Sequence, residues 1–219
     1  MNVRYLAGRD PAELLDPAAP FWKDSRPEPL RLVGTPSSLQ PTAAVRAAWP
    51  DARIGAIGAV TVDAVHDGTQ LAFRLEWEDP SEDRAIGDTT VFPDAAAVLL
   101  PSVPGAPVIT MGAPGVAVNA WYWRADEERA GRQVVAEGLG TTRTVDHELV
   151  RTHATWKEGR WQVVIARALR VDSKEPVAQL RAGESTGYAV AVWEGSRGER
   201  AGIKSYSGNW RELVLAPVA

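Results

Sequence analysis

The chain has 219 residues, 45% of them hydrophobic, with 24 basic against 28 acidic side chains, a formal charge of −4 and no cysteine. The missing thiols exclude disulfide staples, cysteine nucleophiles, iron–sulfur clusters, cysteine-rich zinc sites and covalent attachment of haem through C-x-x-C-H. With no long single-sign run, the balanced charge excludes the electrostatic footprint of a nucleic-acid binder.

A chain of this length fits one domain, residues 1–219, that buries about 70% of its unfolded surface. Such a core needs no metal to hold it, so any cofactor is expected to serve function.

In chain order, residues 1–11 carry neither an apolar h-region nor paired arginines. No run approaches the roughly 18 apolar residues of a membrane span. The expectation is a soluble chain that, if exported, travels with a partner. Short helices are predicted over 11–15 and 41–49, and a strand over 30–33. Residues 60–65 and 71–77 form the clearest hairpin. In its second arm Leu71, Phe73, Leu75 and Trp77 alternate with Arg74, Glu76 and Glu78, and Asp67-Gly68 supplies the turn. A strand over 95–100 leads into a proline-rich loop, with Pro101, Pro104 and Pro107, that ends at Met111. Strands over 118–123 and 133–136 follow, then a hairpin of 152–156 with 161–166 across Lys157-Glu158-Gly159-Arg160, and strands over 188–193 and 210–215. Many short strands with Gly and Pro turns predict an all-β fold, an antiparallel β-sandwich with short helices and one long loop. Long loops in compact domains are usually functional or disordered, and the apolar content of this one favours order.

Gly183-Glu184-Ser185-Thr186-Gly187 matches the nucleophile elbow G-x-S-x-G, but that motif needs a helix after the serine, and 188–193 reads as a strand. A serine hydrolase is therefore excluded. His66, His147 and His153 lack zinc-site spacing and are read as structural. Trp121, Trp123, Trp156, Trp161, Trp193 and Trp210 lie in or beside strands, where they either pack the core or, exposed together, form a sugar-stacking face.

Met111 is the only methionine besides Met1. Its soft thioether either fills a gap in a core or ligates a metal such as haem iron. The chain holds only four lysines, Lys23, Lys157, Lys174 and Lys204. The first three fall in polar loops or a turn, whereas Lys204 has no such local reason to stand where arginine is the usual cation.

The runs Thr110-Met111-Gly112-Ala113, Val118-Asn119-Ala120-Trp121-Tyr122-Trp123-Arg124-Ala125-Asp126 and Lys204-Ser205-Tyr206-Ser207-Gly208 resemble the γ subunit of ethylbenzene dehydrogenase. That family serves molybdenum oxidoreductases of the dimethyl sulfoxide reductase type, among them dimethyl sulfide dehydrogenase, chlorate reductase and selenate reductase. The resemblance runs in order along nearly the whole chain. The departures are a longer proline-rich stretch before Met111 and different residues around 143–155.

The resemblance implies a β-sandwich holding one non-covalent haem b, with Met111 and Lys204 as axial ligands to the iron. Lysine binds iron only as the free amine, so Lys204→Arg loses the ligand while keeping the charge. With both axial positions filled, the implied role is electron transfer without catalysis. The implied partners are a molybdenum-cofactor catalytic subunit, an iron–sulfur subunit and an external electron carrier, and hydrocarbon hydroxylation is the first expectation for the complex. The implied location is the periplasm, reached folded on the catalytic subunit's export signal, with a cytoplasmic complex as the alternative. Asn119 and Trp121 are expected in the pocket because they begin the strand after the Met111 loop. The rival function is a carbohydrate- or small-ligand-binding β-sandwich without haem.

Overall fold

In the computed structural model, residues 1–87, 90–127 and 129–218 are described. Their strands are β1 (Asn2–Tyr5), β2 (Glu28–Arg31), β3 (Val33–Gly34), β4 (Ala59–His66), β5 (Gln70–Glu78), β6 (Ala95–Pro101), β7 (Gly112–Ala113) and β8 (Val116–Arg124). Then follow β9 (Arg132–Ala136), β10 (Arg143–Asp146), β11 (Arg151–Trp156), β12 (Arg160–Ala168), β13 (Ser185–Trp193), β14 (Ser205–Tyr206) and β15 (Arg211–Leu215). The two α-helices are single short pieces, α1 (Pro11–Leu14) and α2 (Ala43–Ala48), capped by Asp10 and Thr42 side chains that accept from Ala12 N and Val45 N. None of the described helices is long and apolar enough to cross a membrane.

The strands form two layers. A front layer runs β10-β9-β8-β6-β13, and a back layer runs β4-β5-β12-β11, joined at one edge through β15 and β1. All pairings are antiparallel except those of β1, which pairs parallel with β15 through Asn2 and Val3 and parallel with β4 through Arg4 and Tyr5. One four-residue strand thus spans the seam between layers, an arrangement absent from the all-antiparallel expectation. It carries too few residues for alternation to announce it, and the exposed β10 is equally silent.

The two predicted hairpins form as expected. Asp67 Oδ1 accepts from Thr69 N at 2.7 Å and Gln70 N at 2.6 Å, while Gly68 takes φ +91°. At the second, Glu158 and Gly159 both have positive φ, as a two-residue turn matching strand twist requires.

Alternation then assigns the faces. Leu71, Phe73, Leu75 and Trp77 of β5 meet Val98, Trp121, Trp123, Val190 and Val192 of the front layer in the main core. Trp123 and Trp161 pack edge-to-face with centroids 4.9 Å apart, and Trp77 lies 6.2 Å from Trp123. Each large side chain buried here stabilises the fold by about 1.5–3 kcal/mol, so the aromatic centre is structural. Trp156 and Trp210 are half-buried, and their indole N–H groups donate to the carbonyls of Asp79 and Ala106. The six tryptophans share no exposed face. Ser185 opens β13 and is followed by strand, which removes the nucleophile elbow.

Candidate functional site

The residues of β6, β8, β9 and β13 that point away from the main core form the outer face of the front layer. Ala97, Leu99, Ala120, Val134, Ala189 and Ala191 make a low floor there because four of the six stop at Cβ. Above it lies a cavity of about 390 Å³, within the range of about 300–1,000 Å³ usual for small-molecule and cofactor sites. Its walls come from residues 35–41, 108–111, 138–144 and 201–206.

Met111 reaches this cavity from the proline-rich loop. The loop is ordered by Ser102 Oγ donating to Ala117 O at 2.7 Å and Trp210 Nε1 donating to Ala106 O at 2.7 Å. Met111 N donates to Val108 O at 3.0 Å and Gly112 N to Pro107 O at 2.8 Å, closing a turn. Met111 itself sits at φ +55°, a left-handed conformation disfavoured for a residue with a Cβ. Gly112 follows at φ +92°, where a Cβ would lie 2.7 Å from both Ala136 O and Val116 O. Only glycine turns the chain so tightly against β8 and β9, which explains the Met-Gly pair.

Lys204 is held from the other side. Trp193 Nε1 donates to Ala201 O at 3.0 Å, while Thr35 Oγ1 and Gln40 Nε2 donate to Gly202 O at 2.6 and 3.0 Å. Thr35 N donates to Lys204 O at 3.0 Å. The lysine's backbone is therefore fixed before its side chain does anything. Its side chain is buried, with 8% exposure, and Nζ lies 5.3 Å from the centroid of Trp193. Among the described residues no carboxylate pairs with it. Desolvation alone pushes its pKa down to about 8, which enriches the free amine that a metal requires.

Met111 and Lys204 thus line one cavity. Asn119 and Trp121 do not, and the expectation that they belong to the pocket is corrected. Strand pleating sends them to the opposite face from Ala120 and Tyr122. Asn119 Oδ1 accepts from Trp121 Nε1, Arg167 Nη1 and Ala178 N, and Trp121 packs against Phe73 in the main core. Sequence reasoning also missed the alanine floor, Tyr122 and Trp193. One signal was available: once Trp121 and Trp123 are core, Ala120 and Tyr122 must face outward. The Thr35 and Gln40 clamp had no local signal. Arg132 lines the rim and is held by Glu127 through Nε at 3.1 Å and through Nη2.

The site fits a flat, largely apolar macrocycle with iron at its centre. It offers a soft sulfur and a desolvated amine with no carboxylate partner among the described residues, over a floor of small side chains. The family model described as ethylbenzene dehydrogenase matches residues 19–148 and 141–205. The chain belongs to the ethylbenzene dehydrogenase family. Within it, a protein of Haloferax mediterranei provisionally described as a respiratory nitrate reductase haem subunit is 35% identical over 183 residues, covering 83% of this chain and 65% of its own. Chlorate reductase subunit gamma of Ideonella dechloratans is 35% identical over 156 residues, with 70% of this chain and 64% of its own covered. Dimethylsulfide dehydrogenase subunit gamma of Rhodovulum sulfidophilum is 29% identical over 168 residues, with 73% and 62% covered. The chain spans just under two thirds of each of these relatives. A family 9 carbohydrate-binding module from Caldicellulosiruptor kristjanssonii, in complex with glucose, shares the β-sandwich fold at a TM-score of 0.53 and 12% identity, covering 100% of this chain and 96% of its own. At that identity the likeness concerns the fold alone.

Proposed function

We propose that this member of the ethylbenzene dehydrogenase family is a non-catalytic electron-transfer subunit that holds one haem b between Met111 and Lys204. The observation that carries the reading is the shared cavity. A thioether on a strained turn and a buried lysine with no carboxylate partner among the described residues converge on it from segments far apart in sequence.

When bound, haem supplies reversible one-electron iron chemistry. The chain's own residues do the rest. Thr35, Gln40 and Trp193 fix the backbone of residues 201–204, so the amine is positioned without reorganisation. Burial keeps Lys204 poised to lose its proton. The alanine floor and the Pro107–Met111 turn would shield a bound group with apolar surface. If Met111 and Lys204 both ligated the iron, they would leave it no open position for substrate, which fits a role in electron transfer.

The reading extends to partners by analogy with the γ subunits of chlorate reductase and dimethylsulfide dehydrogenase. A molybdenum-cofactor subunit does the chemistry, an iron–sulfur subunit exchanges electrons with this chain, and an external carrier takes or supplies them, in a periplasmic complex. The absence of an exposed tryptophan face speaks against the sugar-binding alternative.

The test is reconstitution of the purified chain with haemin, read by absorption spectrum and pyridine haemochrome, for the parent, Met111→Ala and Lys204→Ala. The expected parent spectrum is low-spin, and each variant loses it. No Soret binding in the parent overturns the haem reading, and unchanged spectra in both variants overturn the ligand pair. Copurification with molybdenum and iron–sulfur subunits checks the assembly.

A further inference from the structure

Away from the cavity, three buried carboxylates meet at one end of the sandwich. Asp79 directly follows β5, Asp94 directly precedes β6, and Glu194 directly follows β13. One oxygen from each carboxylate lies within 4.8 Å of the corresponding oxygens of the other two. All three side chains are buried, and among the described residues no lysine, arginine or histidine forms an ion pair with any of them. The nearby Arg84 is turned away, with its guanidinium over the Trp161 ring at 4.8 Å and Nη1 donating to Ala125 O.

Two of the three carboxylates are satisfied. Asp94 accepts from Asp83 N at 2.9 Å, Gly195 N at 2.8 Å and Trp161 Nε1 at 3.0 Å. Glu194 accepts from Ser196 N and Oγ. Asp79 differs. Its Oδ1 accepts from Ser81 N, but Oδ2 belongs to a residue with 0% exposure and has no hydrogen-bond partner. The buried indole N–H of Trp77 faces this carboxylate but falls outside good hydrogen-bond geometry. A buried acceptor without a partner costs about 1–3 kcal/mol, and more when charged.

We propose that Asp79, Asp94 and Glu194 form a calcium site, with Asp79 Oδ2 as the oxygen that the cation claims. The donors are all oxygen, which selects a hard cation over zinc or copper. Calcium binds oxygen at 2.3–2.6 Å, so its ligands can stand up to roughly 5 Å apart, a range that includes oxygens within 4.8 Å of one another. Magnesium dehydrates reluctantly and usually keeps several waters, whereas three buried carboxylates suit the less strongly hydrated calcium.

The placement gives the site a structural task. Asp79 comes from the back layer, and Asp94 and Glu194 come from the front layer, so one ion fastens both sheets at their ends. Glu194 also starts the connection that carries Lys204. Its N–H donates to Glu199 Oε2 at 3.2 Å, while Glu199 Oε1 accepts from Gly55 N at 2.7 Å and Ala56 N at 3.0 Å. Calcium therefore braces the root of the segment that lines the cavity.

The test uses the full haem-free chain, stripped with chelator, and so is independent of the haem reading. Calcium chloride is titrated by calorimetry, and thermal unfolding is followed with calcium, with magnesium and with chelator. One calcium per chain is expected, with a Tm that rises on calcium addition, falls on chelation and responds at least tenfold more weakly to magnesium. Asp79→Asn is expected to weaken calcium binding at least tenfold. Absence of calcium heat and of any Tm response in the parent overturns the proposal, as does a preference for magnesium or an undiminished response in Asp79→Asn. If that variant does not fold, Glu194→Gln is read in its place, beside the parent titration.

Discussion

Replacing Lys204 by leucine separates what the buried amine costs from what it does. In the haem-free protein the ammonium has lost its water and meets no carboxylate, which lowers its pKa from 10.5 to about 8. That difference opposes folding by about 3 kcal/mol at any pH below 8, where both states are protonated. Between about pH 8 and 10.5 the unfolded chain holds more protons than the folded one, so the penalty shrinks and stability rises with pH across that window. The contact of Nζ with the Trp193 ring, at 5.3 Å, offsets about 1 kcal/mol of the penalty. Lys204→Leu is therefore expected to stabilise the haem-free chain by about 2 kcal/mol at pH 6, or about 4–8 °C in Tm. At pH 10 the gain falls below about 1 kcal/mol. Thermal and urea unfolding of parent and variant at both pH values measure it. A variant less stable than the parent at pH 6, or a gap of equal size at both, refutes the reasoning. The same variant, offered haemin, is expected to lose the low-spin spectrum, so that stability and ligation move in opposite directions.

Three further outcomes follow from named contacts. Ala120→Leu adds bulk to the cavity floor, and is expected to weaken haem uptake at least tenfold in a Soret titration while leaving the haem-free Tm nearly unchanged; equal uptake would show that the floor is not the binding surface. Gly202→Ala puts a Cβ 2.4 Å from Gln40 Oε1, and should destabilise the chain by about 1–3 kcal/mol in urea and shift the spectrum of the loaded protein by loosening the Lys204 clamp. Arg167→Met removes a buried guanidinium that donates to Asn119 Oδ1, Gln133 Oε1 and the carbonyls of Ala168, Leu169 and Ala178. It is expected to cost about 2–4 kcal/mol in urea unfolding because the buried acceptors Gln133 Oε1 and Ala178 O lose their donor, and a neutral result would show that water replaces it.

Much of this architecture was legible in the chain. Asp67-Gly68 and Glu158-Gly159 marked the two hairpins because positive φ selects such residues, and alternation at 71–77 marked a half-buried strand. The pairing of Met111 with Lys204 was visible only through motif resemblance, since neither residue carries a spacing signal. Asn119 and Trp121 were assigned to the wrong side of β8. Nearness in sequence to Met111 suggested the pocket, while the period-2 pleat decided the face. The floor was hidden for a different reason: alanine tolerates core, cavity and surface alike, so Ala97, Ala120, Ala189 and Ala191 advertise nothing singly. The parallel strand β1 and the Thr35–Gln40 clamp depend on contacts between distant segments, which no local pattern encodes.

The cavity lies on the outer face of the front layer, and the tryptophan-rich core lies on the inner face of the same strands. Cohesion and occupancy are thus divided between the two sides of one sheet. A group bound in the pocket would therefore contact one side of these strands while the core packs against the other. Substitutions on the outer face, such as Ala120→Leu, can thus alter the pocket without touching the tryptophan core on the inner face.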